Sequence, residues 1–245
     1  MLEVRGLAVS YGPVRVLQGI DLSVGDGEIV ALIGPNGAGK TTTLNAIAGL
    51  LPRQGDVRLD GEPLEPVAEE AVRRGVALVP QGRRIFPTMT VEENLFMGAY
   101  AKGGGWKGSA QRFAPVYEIF PRLAERRRQT ARSLSGGEQQ MLVIGRALLS
   151  EPRVMLIDEL SLGLAPKMVL TLLDTIKRLN VERGTACLIV EQAATAALSI
   201  ARSAYLLRKG EVVFRGSAEQ LRSEVDVLHG AYLGKARAPA QPVLR

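Results

Sequence analysis

Residues 34–42 read Gly-Pro-Asn-Gly-Ala-Gly-Lys-Thr-Thr, and they separate an apolar run, Ile29–Ile33, from a helix-like stretch at residues 44–51. A polyphosphate needs several backbone donors that approach it closely, so glycines are favoured and bulky side chains are excluded. The helix that follows directs its free N–H groups and the positive end of its dipole at the same anion. A strand, a glycine-rich loop and a helix in this order predict an α/β fold with a phosphate site where the strand ends.

The side chains of this loop supply the charge and the metal ligand that a nucleoside triphosphate needs. Lys40 is predicted to reach the outer phosphates, and the Thr41 hydroxyl is predicted to hold Mg²⁺. The alternative is an ordinary glycine-rich turn, but Lys and Thr at these offsets and between these flanks favour the phosphate site. The predicted nucleotide-binding residues of this segment are Gly34, Pro35, Asn36, Gly37, Ala38, Gly39, Lys40, Thr41 and Thr42.

Length and composition indicate a globular protein of ordinary domain size. With 245 residues, 46% of them hydrophobic, the chain can bury one substantial core, or one core with a smaller lobe attached. No stretch approaches the ~18 apolar residues needed to cross a bilayer, and the N-terminus begins with a strand-like pattern. The sequence therefore predicts a protein that stays in the cytoplasm.

Charge, cysteine and histidine usage give no separate functional signal. The net charge of +6 is compatible with nucleic acid, an anionic membrane surface or a merely basic surface. The arginine run at residues 126–128 lacks interleaved aromatic residues, so we interpret it as a solvated helix end and predict no nucleic-acid partner. The single Cys187 lies in an apolar run and is predicted to be a buried thiol, and His229 is not expected to be catalytic.

The order of the elements predicts the architecture. Residues 2–22 read as an antiparallel meander, and residues 90–131 show helical periodicity broken by residues 103–105, Pro115 and Pro121. Elsewhere apolar strands alternate with helices, which indicates a parallel sheet covered on both faces. We predict a P-loop NTPase core with an N-terminal antiparallel β subdomain and a helical lobe at about 90–150, all within one domain of residues 1–234, and a disordered tail at 235–245.

An apolar strand at residues 154–157 ends in two carboxylates, Asp158 and Glu159. Ligands bind at the carboxyl ends of strands in open α/β sheets, where Asp158 is suited to hold Mg²⁺ and Glu159 to polarise an attacking water. The alternative is a strand followed by an acidic cap. Combined with the loop at residues 34–42, the pair favours hydrolysis of a nucleoside triphosphate.

A second helix start has the composition of an anion site. Residues 134–140 read Leu-Ser-Gly-Gly-Glu-Gln-Gln, and a serine followed by two glycines opens a helix whose N–H groups suit an anion. One ATP needs only one such cradle. At this point the chain resembles the ATPase subunits of ABC transporters, and the resemblance covers residues 1–233.

The resemblance implies cofactors, a dimer and roles for further residues. The cofactors are ATP and Mg²⁺, and two subunits dimerise head to tail. The signature residues Ser135, Gly136 and Gly137 then close over the γ-phosphate bound to the partner's loop. Tyr11 falls where an aromatic ring stacks on adenine, with an ordinary turn tyrosine as the alternative, and Gln81 falls where a glutamine reaches Mg²⁺ and the attacking water.

Three positions depart from the family pattern. Leu160 stands where proline usually follows the catalytic glutamate, so its N–H can form a bond and the loop is expected to be less stiff. Ala165 stands where many members place an aspartate that contacts the partner subunit, which implies altered communication across the dimer. Gln192 replaces the switch histidine and can donate to a γ-phosphate without becoming cationic, so slower hydrolysis is expected; a helix-capping role is the alternative.

Further segments narrow the resemblance to one branch of the family. The chain resembles the second ATPase subunit of branched-chain amino-acid importers at Glu138 of the signature and at residues 80–86, 89–95, 161–166 and 191–192, with urea and short-chain amide importers as close relatives. This branch implies a heterodimer with a sister ATPase, a homodimer being an option in isolation. The dimer docks on two integral membrane permeases at the cytoplasmic face of the membrane, and an extracytoplasmic binding protein delivers the substrate.

Two other functions stay open on the sequence alone. A soluble ABC ATPase of translation or DNA repair fits the positive charge, although such proteins usually carry tandem domains or a long coiled-coil insertion. A regulatory module that binds ATP and barely hydrolyses it fits Ala165 and Gln192. Copurification with membrane-embedded partners separates both from an import ATPase.

Overall fold

The computed structural model describes residues 1–100, 109–192 and 194–223, which form two β-sheets and the helices packed on them. The predicted tail, His229 and the glycines at 103–105 lie outside the described residues. The strands are β1 (Leu2–Tyr11), β2 (Val14–Val24), β3 (Ile29–Ile33), β4 (Gln54–Leu59), β5 (Glu62–Pro63), β6 (Val76–Val79), β7 (Val154–Asp158), β8 (Ala186–Glu191), β9 (Ser203–Arg208) and β10 (Glu211–Ser217). The helices are α1 (Lys40–Ile47), α2 (Ala68–Arg73), α3 (Val91–Ala99), α4 (Ser109–Ile119), α5 (Pro121–Glu125), α6 (Gly136–Leu148), α7 (Pro166–Arg183), α8 (Ala194–Leu198) and α9 (Ala218–Ser223).

The larger sheet is the predicted parallel core. Its strand order is β10-β9-β3-β8-β7-β6, in which every pair is parallel except the edge pair of β10 with β9. The smaller sheet is the predicted antiparallel subdomain, with the order β2-β1-β4-β5. The predicted α/β architecture is confirmed, and the carboxyl ends of β3, β6, β7 and β8 lie at one edge of the larger sheet.

The central strands divide their side chains between two hydrophobic cores. Ile29, Ala31 and Ile33 of β3 belong to the core shared with the helical lobe and α7. Val30 and Leu32 belong to the core shared with α1 and the smaller sheet. This alternation, repeated in β7 and β8, is what a strand buried on both faces requires. Cys187 of β8 is buried, as predicted, and burial raises the pKa of its thiol to about 12.

The helical lobe contains α3 to α6, and one detail of its prediction is wrong. Pro115 was expected to interrupt the helical pattern, but it lies inside α4, whereas Pro121 does begin a new helix, α5. An internal proline removes one helical hydrogen bond. Its neighbours Phe113 and Val116 are fully buried, and their packing outweighs that loss. The proposed lobe boundaries remain a prediction.

None of the helices in the described part of the chain combines the length and apolar character that a membrane crossing requires.

Candidate functional site

The loop between β3 and α1 leaves the start of α1 available to a ligand. Gly39 is the N-cap and has φ +109°, and a Cβ there would lie 2.6 Å from Leu17 Cδ2, so only glycine fits. The first turn of α1 contains no acidic residue, and no side chain in this fully described segment caps it. The first backbone N–H groups of a helix need partners, and here an anion can supply them.

Lys40 is held inside the loop rather than in solvent. Its side chain is buried, and Nζ donates to the carbonyl oxygens of Gly34 at 2.9 Å and Pro35 at 3.2 Å. Burial lowers the pKa of Lys40, an effect opposed by Glu159, Asp158 and Glu191. The Lys40 ammonium group is desolvated and its two hydrogen bonds go to neutral carbonyl oxygens. A bound anion would therefore stabilise its positive charge.

Thr41 and Asp158 meet across two elements. Thr41 Oγ1, in the first turn of α1, donates to Asp158 Oδ1, at the end of β7, over 3.1 Å. Asp158 is buried, and burial raises the pKa of its carboxyl group. No cluster of three or more His, Cys, Asp or Glu suited to a metal occurs among the described residues. Mg²⁺ usually takes one or two carboxylates and completes its shell with phosphates and water, so the hydroxyl and carboxylate of this pair fit it.

Gln81 and Glu159 form a second contact beside the loop. Gln81 Nε2 donates to Glu159 Oε2 at 2.6 Å, although the two residues are 78 positions apart. Glu159 has φ +47°, in the left-handed region, and its N–H donates to the Val190 carbonyl at 2.9 Å. A non-glycine residue adopts this conformation only where its surroundings hold it.

These groups converge on one cleft of about 500 Å³. It is lined by Val16, Asn36, Gly37, Gly39, Lys40, Thr41, Thr42, Gln81, Glu159, Leu162 and Gln192. The structure thus brings six of the nine predicted loop residues together with Gln81, Glu159 and Gln192. The predicted residues Gly34, Pro35, Ala38 and Asp158 are not among the lining residues, and the roles of all of them in binding and hydrolysis remain predictions. A second groove of about 610 Å³ lies along β1 and β2 and contains none of the predicted residues.

Two sets of predicted residues lie away from this cleft. Tyr11 is 48% exposed in the β1–β2 hairpin and is not among the lining residues, so its contact with adenine remains a prediction. Ser135, Gly136 and Gly137 open α6, and they too are not among the lining residues.

The start of α6 is organised by its own side chains. The Ser135 hydroxyl accepts from the Glu138 N–H, and the Glu138 carboxylate accepts from the Ser135 N–H at 2.9 Å and from its hydroxyl at 2.8 Å. This is a capping box. Arg126 forms an ion pair with Glu138 at 2.7 Å, so the arginine run predicted to be solvated is in part tied to this helix start. A Cβ at Gly137 would lie 2.7 Å from the terminal methyl group of Met168, so the Met168 side chain would have to move to admit a larger residue.

Comparison with known proteins decides the family. The sequence profile described as ABC transporter matches residues 17–161, more than half of the chain. The chain belongs to this family. An ABC protein called high-affinity branched-chain amino acid transport ATP-binding protein BraG, from Pseudomonas aeruginosa, is 42% identical to it over 96% of this chain and 100% of that one.

Two further ABC proteins extend the comparison. The BraF protein of the same organism, with the same description, is 32% identical over 96% of this chain and 98% of its own length. A solved dimeric structure of a bacterial ABC transporter cassette superposes with a TM-score of 0.80 at 25% identity, covering 89% of this chain and 99% of that chain. The ABC ATPase fold predicted for this chain is therefore confirmed.

Sequence reasoning missed two contacts within this ABC cassette. The buried Glu191 at the end of β8 binds Ser161, and Arg83 Nη2 donates to the Gly163 carbonyl at 3.3 Å. The unusual Leu160 beside Ser161 was a signal for this segment, because a leucine keeps the backbone N–H that a proline lacks. No sequence pattern pointed to Arg83.

Proposed function

We propose that this chain is the ATP-binding and ATP-hydrolysing subunit of an ABC importer for branched-chain amino acids. The family match and the descriptions of the two Pseudomonas relatives support this function. The observation that carries it is that Lys40, Thr41, Gln81 and Glu159 line one cleft, where Gln81 is bonded to Glu159 and Thr41 is bonded to the buried Asp158 behind it. A strand-loop-helix turn without function requires none of these contacts.

The loop at residues 34–42 binds the phosphates of ATP. Its backbone N–H groups and the start of α1 supply neutral donors, and Lys40 supplies a positive charge close to the carbonyl oxygens that now hold it. Thr41, Asp158 and Gln81 would hold Mg²⁺, which neutralises charge on the β- and γ-phosphates when it is bound.

Glu159 and Gln81 act on the attacking water. Gln81 orients the Glu159 carboxylate through their hydrogen bond, and the carboxylate accepts the proton of the water as its oxygen bonds to the γ-phosphorus. The bond between the γ-phosphorus and the bridging oxygen breaks, and ADP and phosphate leave. Gln192 lines the same cleft and donates a neutral hydrogen bond toward the γ-phosphate.

The signature residues Ser135, Gly136 and Gly137 serve the ATP of a second subunit. They lie away from the cleft of their own chain, and the similar dimeric cassette and the pair of Pseudomonas relatives support a head-to-tail heterodimer with a sister ATPase. This dimer sits at the cytoplasmic face of the membrane on two permease subunits, which receive substrate from an extracytoplasmic binding protein. Closure on ATP moves the permeases, and hydrolysis reopens the dimer.

Glu159→Gln tests the catalytic assignment. An amide keeps the size of the side chain but accepts a proton poorly, so hydrolysis should fall by at least about a hundredfold while ATP binding is retained. The measurements are single-turnover hydrolysis and direct ATP titration on the purified full-length chain with its sister ATPase. Glu182→Gln, an exposed carboxylate on α7, is the matched control and should leave both unchanged. Wild-type hydrolysis by Glu159→Gln would place the base elsewhere.

A separate measurement tests the partners and the substrate. The affinity-tagged chain, purified from its own membranes in detergent, should copurify with a second ABC ATPase and two permeases. When reconstituted with the binding protein, the complex should drive ATP-dependent uptake of labelled leucine, with labelled urea as the comparison. Uptake of urea alone would contradict the substrate, and a chain isolated without permeases would contradict the transport function.

A further inference from the structure

Glu191 has a buried carboxylate, and none of the residues that the structure describes forms an ion pair with it. It is 1% exposed and is the last residue of β8. Its Oε1 accepts from the Ser161 N–H at 2.9 Å, and its Oε2 accepts from the Ser161 hydroxyl at 2.7 Å. The nearby backbone N–H of Leu160 also lowers the pKa of this carboxyl group, against the larger raising effect of burial. Burial disfavours the ionised form of the Glu191 carboxyl group, and the hydrogen bonds from these donors offset that cost.

Two backbone N–H groups of the segment that follows β7 are bonded to the end of β8. The Glu159 N–H donates to the Val190 carbonyl, and the Ser161 N–H donates to the Glu191 carboxylate. The end of β8 therefore fixes the backbone immediately after β7.

The fixed segment contains the residue proposed to act on the water. Glu159 has φ +47°, which costs a non-glycine residue conformational energy and persists only where neighbours hold it. In this conformation its carboxylate reaches Gln81 and lines the cleft, and Gln192, which follows Glu191 directly, lines the same cleft.

We propose that Glu191 is a positioning residue for ATP hydrolysis: through its two bonds to Ser161 it holds Glu159 in its left-handed conformation, with the Glu159 carboxylate aimed at Gln81 and the attacking water. This inference rests on the proposed catalytic role of Glu159. The simpler alternative is a structural bond that stabilises the fold and has no effect on turnover.

The test compares kcat with ATP affinity in variants of the full-length chain assembled with its sister ATPase. Glu191→Ala should lower kcat by roughly ten- to a hundredfold, the usual effect of losing a group that orients a catalytic residue. ATP affinity should stay within about threefold of wild type, because the phosphate contacts of the loop are retained. Glu191 also lies close enough to Lys40 to affect its charge, so a second variant that keeps the carboxylate is needed.

Ser161→Ala is that second variant, and it serves also if Glu191→Ala fails to fold. It removes the 2.7 Å bond and leaves the bond from the Ser161 N–H to Glu191, so kcat should fall by roughly three- to tenfold. Ser161→Thr keeps the hydroxyl and should recover wild-type kcat. In the variant that combines Glu191→Ala with Ser161→Ala, kcat should be no lower than in Glu191→Ala alone, because both changes break the same contact.

The matched control is Ser150→Ala. Ser150 is buried, and its hydroxyl donates over the same 2.7 Å, to the Ala147 carbonyl at the end of α6. The Ser150→Ala variant should be less stable toward urea, as is expected of Ser161→Ala, and should keep the wild-type kcat. Equal kcat in Ser161→Ala, Ser161→Thr and wild type would overturn the inference, provided that Glu159→Gln is inactive. An active Glu159→Gln would instead overturn the proposed role of Glu159.

Discussion

The two helix starts that carry glycine-rich sequences, those of α1 and α6, are built in opposite ways. The first turn of α1 has a glycine N-cap, no acidic residue and no capping side chain. The first turn of α6 has a serine N-cap, a complete capping box with Glu138, and Arg126 paired to that glutamate. The α1 start can bind an anion within one chain. At α6 the box uses the N–H groups of Ser135 and Glu138, so a phosphate meets only the remaining donors and a carboxylate beside them.

This difference explains why one chain contains two such segments. The α1 start lines the cleft with Lys40 and Glu159, and its Thr41 is bonded to Asp158, so it stands where the chemistry is proposed to occur. The α6 start is stable without a ligand, as a surface needs to be when its ligand arrives on another subunit. The following changes test whether the two starts act at different steps.

Lys40→Ala should give the largest change in affinity. Removing the charge from the α1 loop should weaken ATP binding by roughly ten- to a hundredfold, the value of a charge-assisted contact of about 1.5–3 kcal/mol. Isothermal titration of the purified chain with ATP measures it, and Lys177→Ala, an exposed lysine on α7, is the control. An unchanged dissociation constant would remove the basis for treating α1 as the nucleotide-binding start.

Ser135→Ala should separate the two starts. It breaks the cap of α6, which typically costs about 1 kcal/mol of stability, yet it touches nothing in the chain's own cleft. ATP affinity of the isolated chain should be unchanged, and turnover of the assembled dimer should fall by about tenfold or more. Thr90→Ala, which breaks the capping box at α3, should show the stability loss alone. Weakened ATP binding by the isolated Ser135→Ala chain would contradict the claim that the α1 and α6 starts act at different steps.

Glu138→Gln should have the smallest effect. Glutamine can complete the same box, so the change removes mainly the charge beside the incoming γ-phosphate. ATP-dependent association of the two ATPases should tighten by about two- to fivefold, the value of one charge at a helix start, and less so at high salt. Glu93→Gln in the α3 box is the control, with no change in association expected. Weaker association of Glu138→Gln would mean that Glu138 assists the contact.

Much of this site could be predicted because most of its residues belong to short segments that are each contiguous in the sequence. The loop at residues 34–42, the acidic pair Asp158 and Glu159, and the signature segment each combine a local pattern with a local conformation. Gln81 and Gln192 were placed by the resemblance, and the structure puts both on the cleft. The alternation of apolar strands with helices predicted the parallel sheet, and the resemblance carried by the signature segment implied the ABC ATPase fold.

The remaining features depend on tertiary contacts that no local pattern encodes. Pro115 was expected to break a helix, but burial of its neighbours overrides that preference. The left-handed conformation of Glu159 depends on Val190 and Glu191, about thirty residues later in the chain. The ion pair of Arg126 with Glu138 could not be found from a run of three arginines.

The most direct test of the central claim, that one ATP is held between the α1 start of one subunit and the α6 start of the other, is nucleotide-dependent association measured by analytical ultracentrifugation. The Glu159→Gln chain mixed with its sister ATPase should form a heterodimer with ATP and Mg²⁺, and it should dissociate with ADP or when Mg²⁺ is chelated. Adding Ser135→Ala should weaken the ATP-dependent heterodimer by roughly tenfold or more while ATP still binds the chain. Association that is the same with ATP, with ADP and in the Ser135→Ala background would contradict the account.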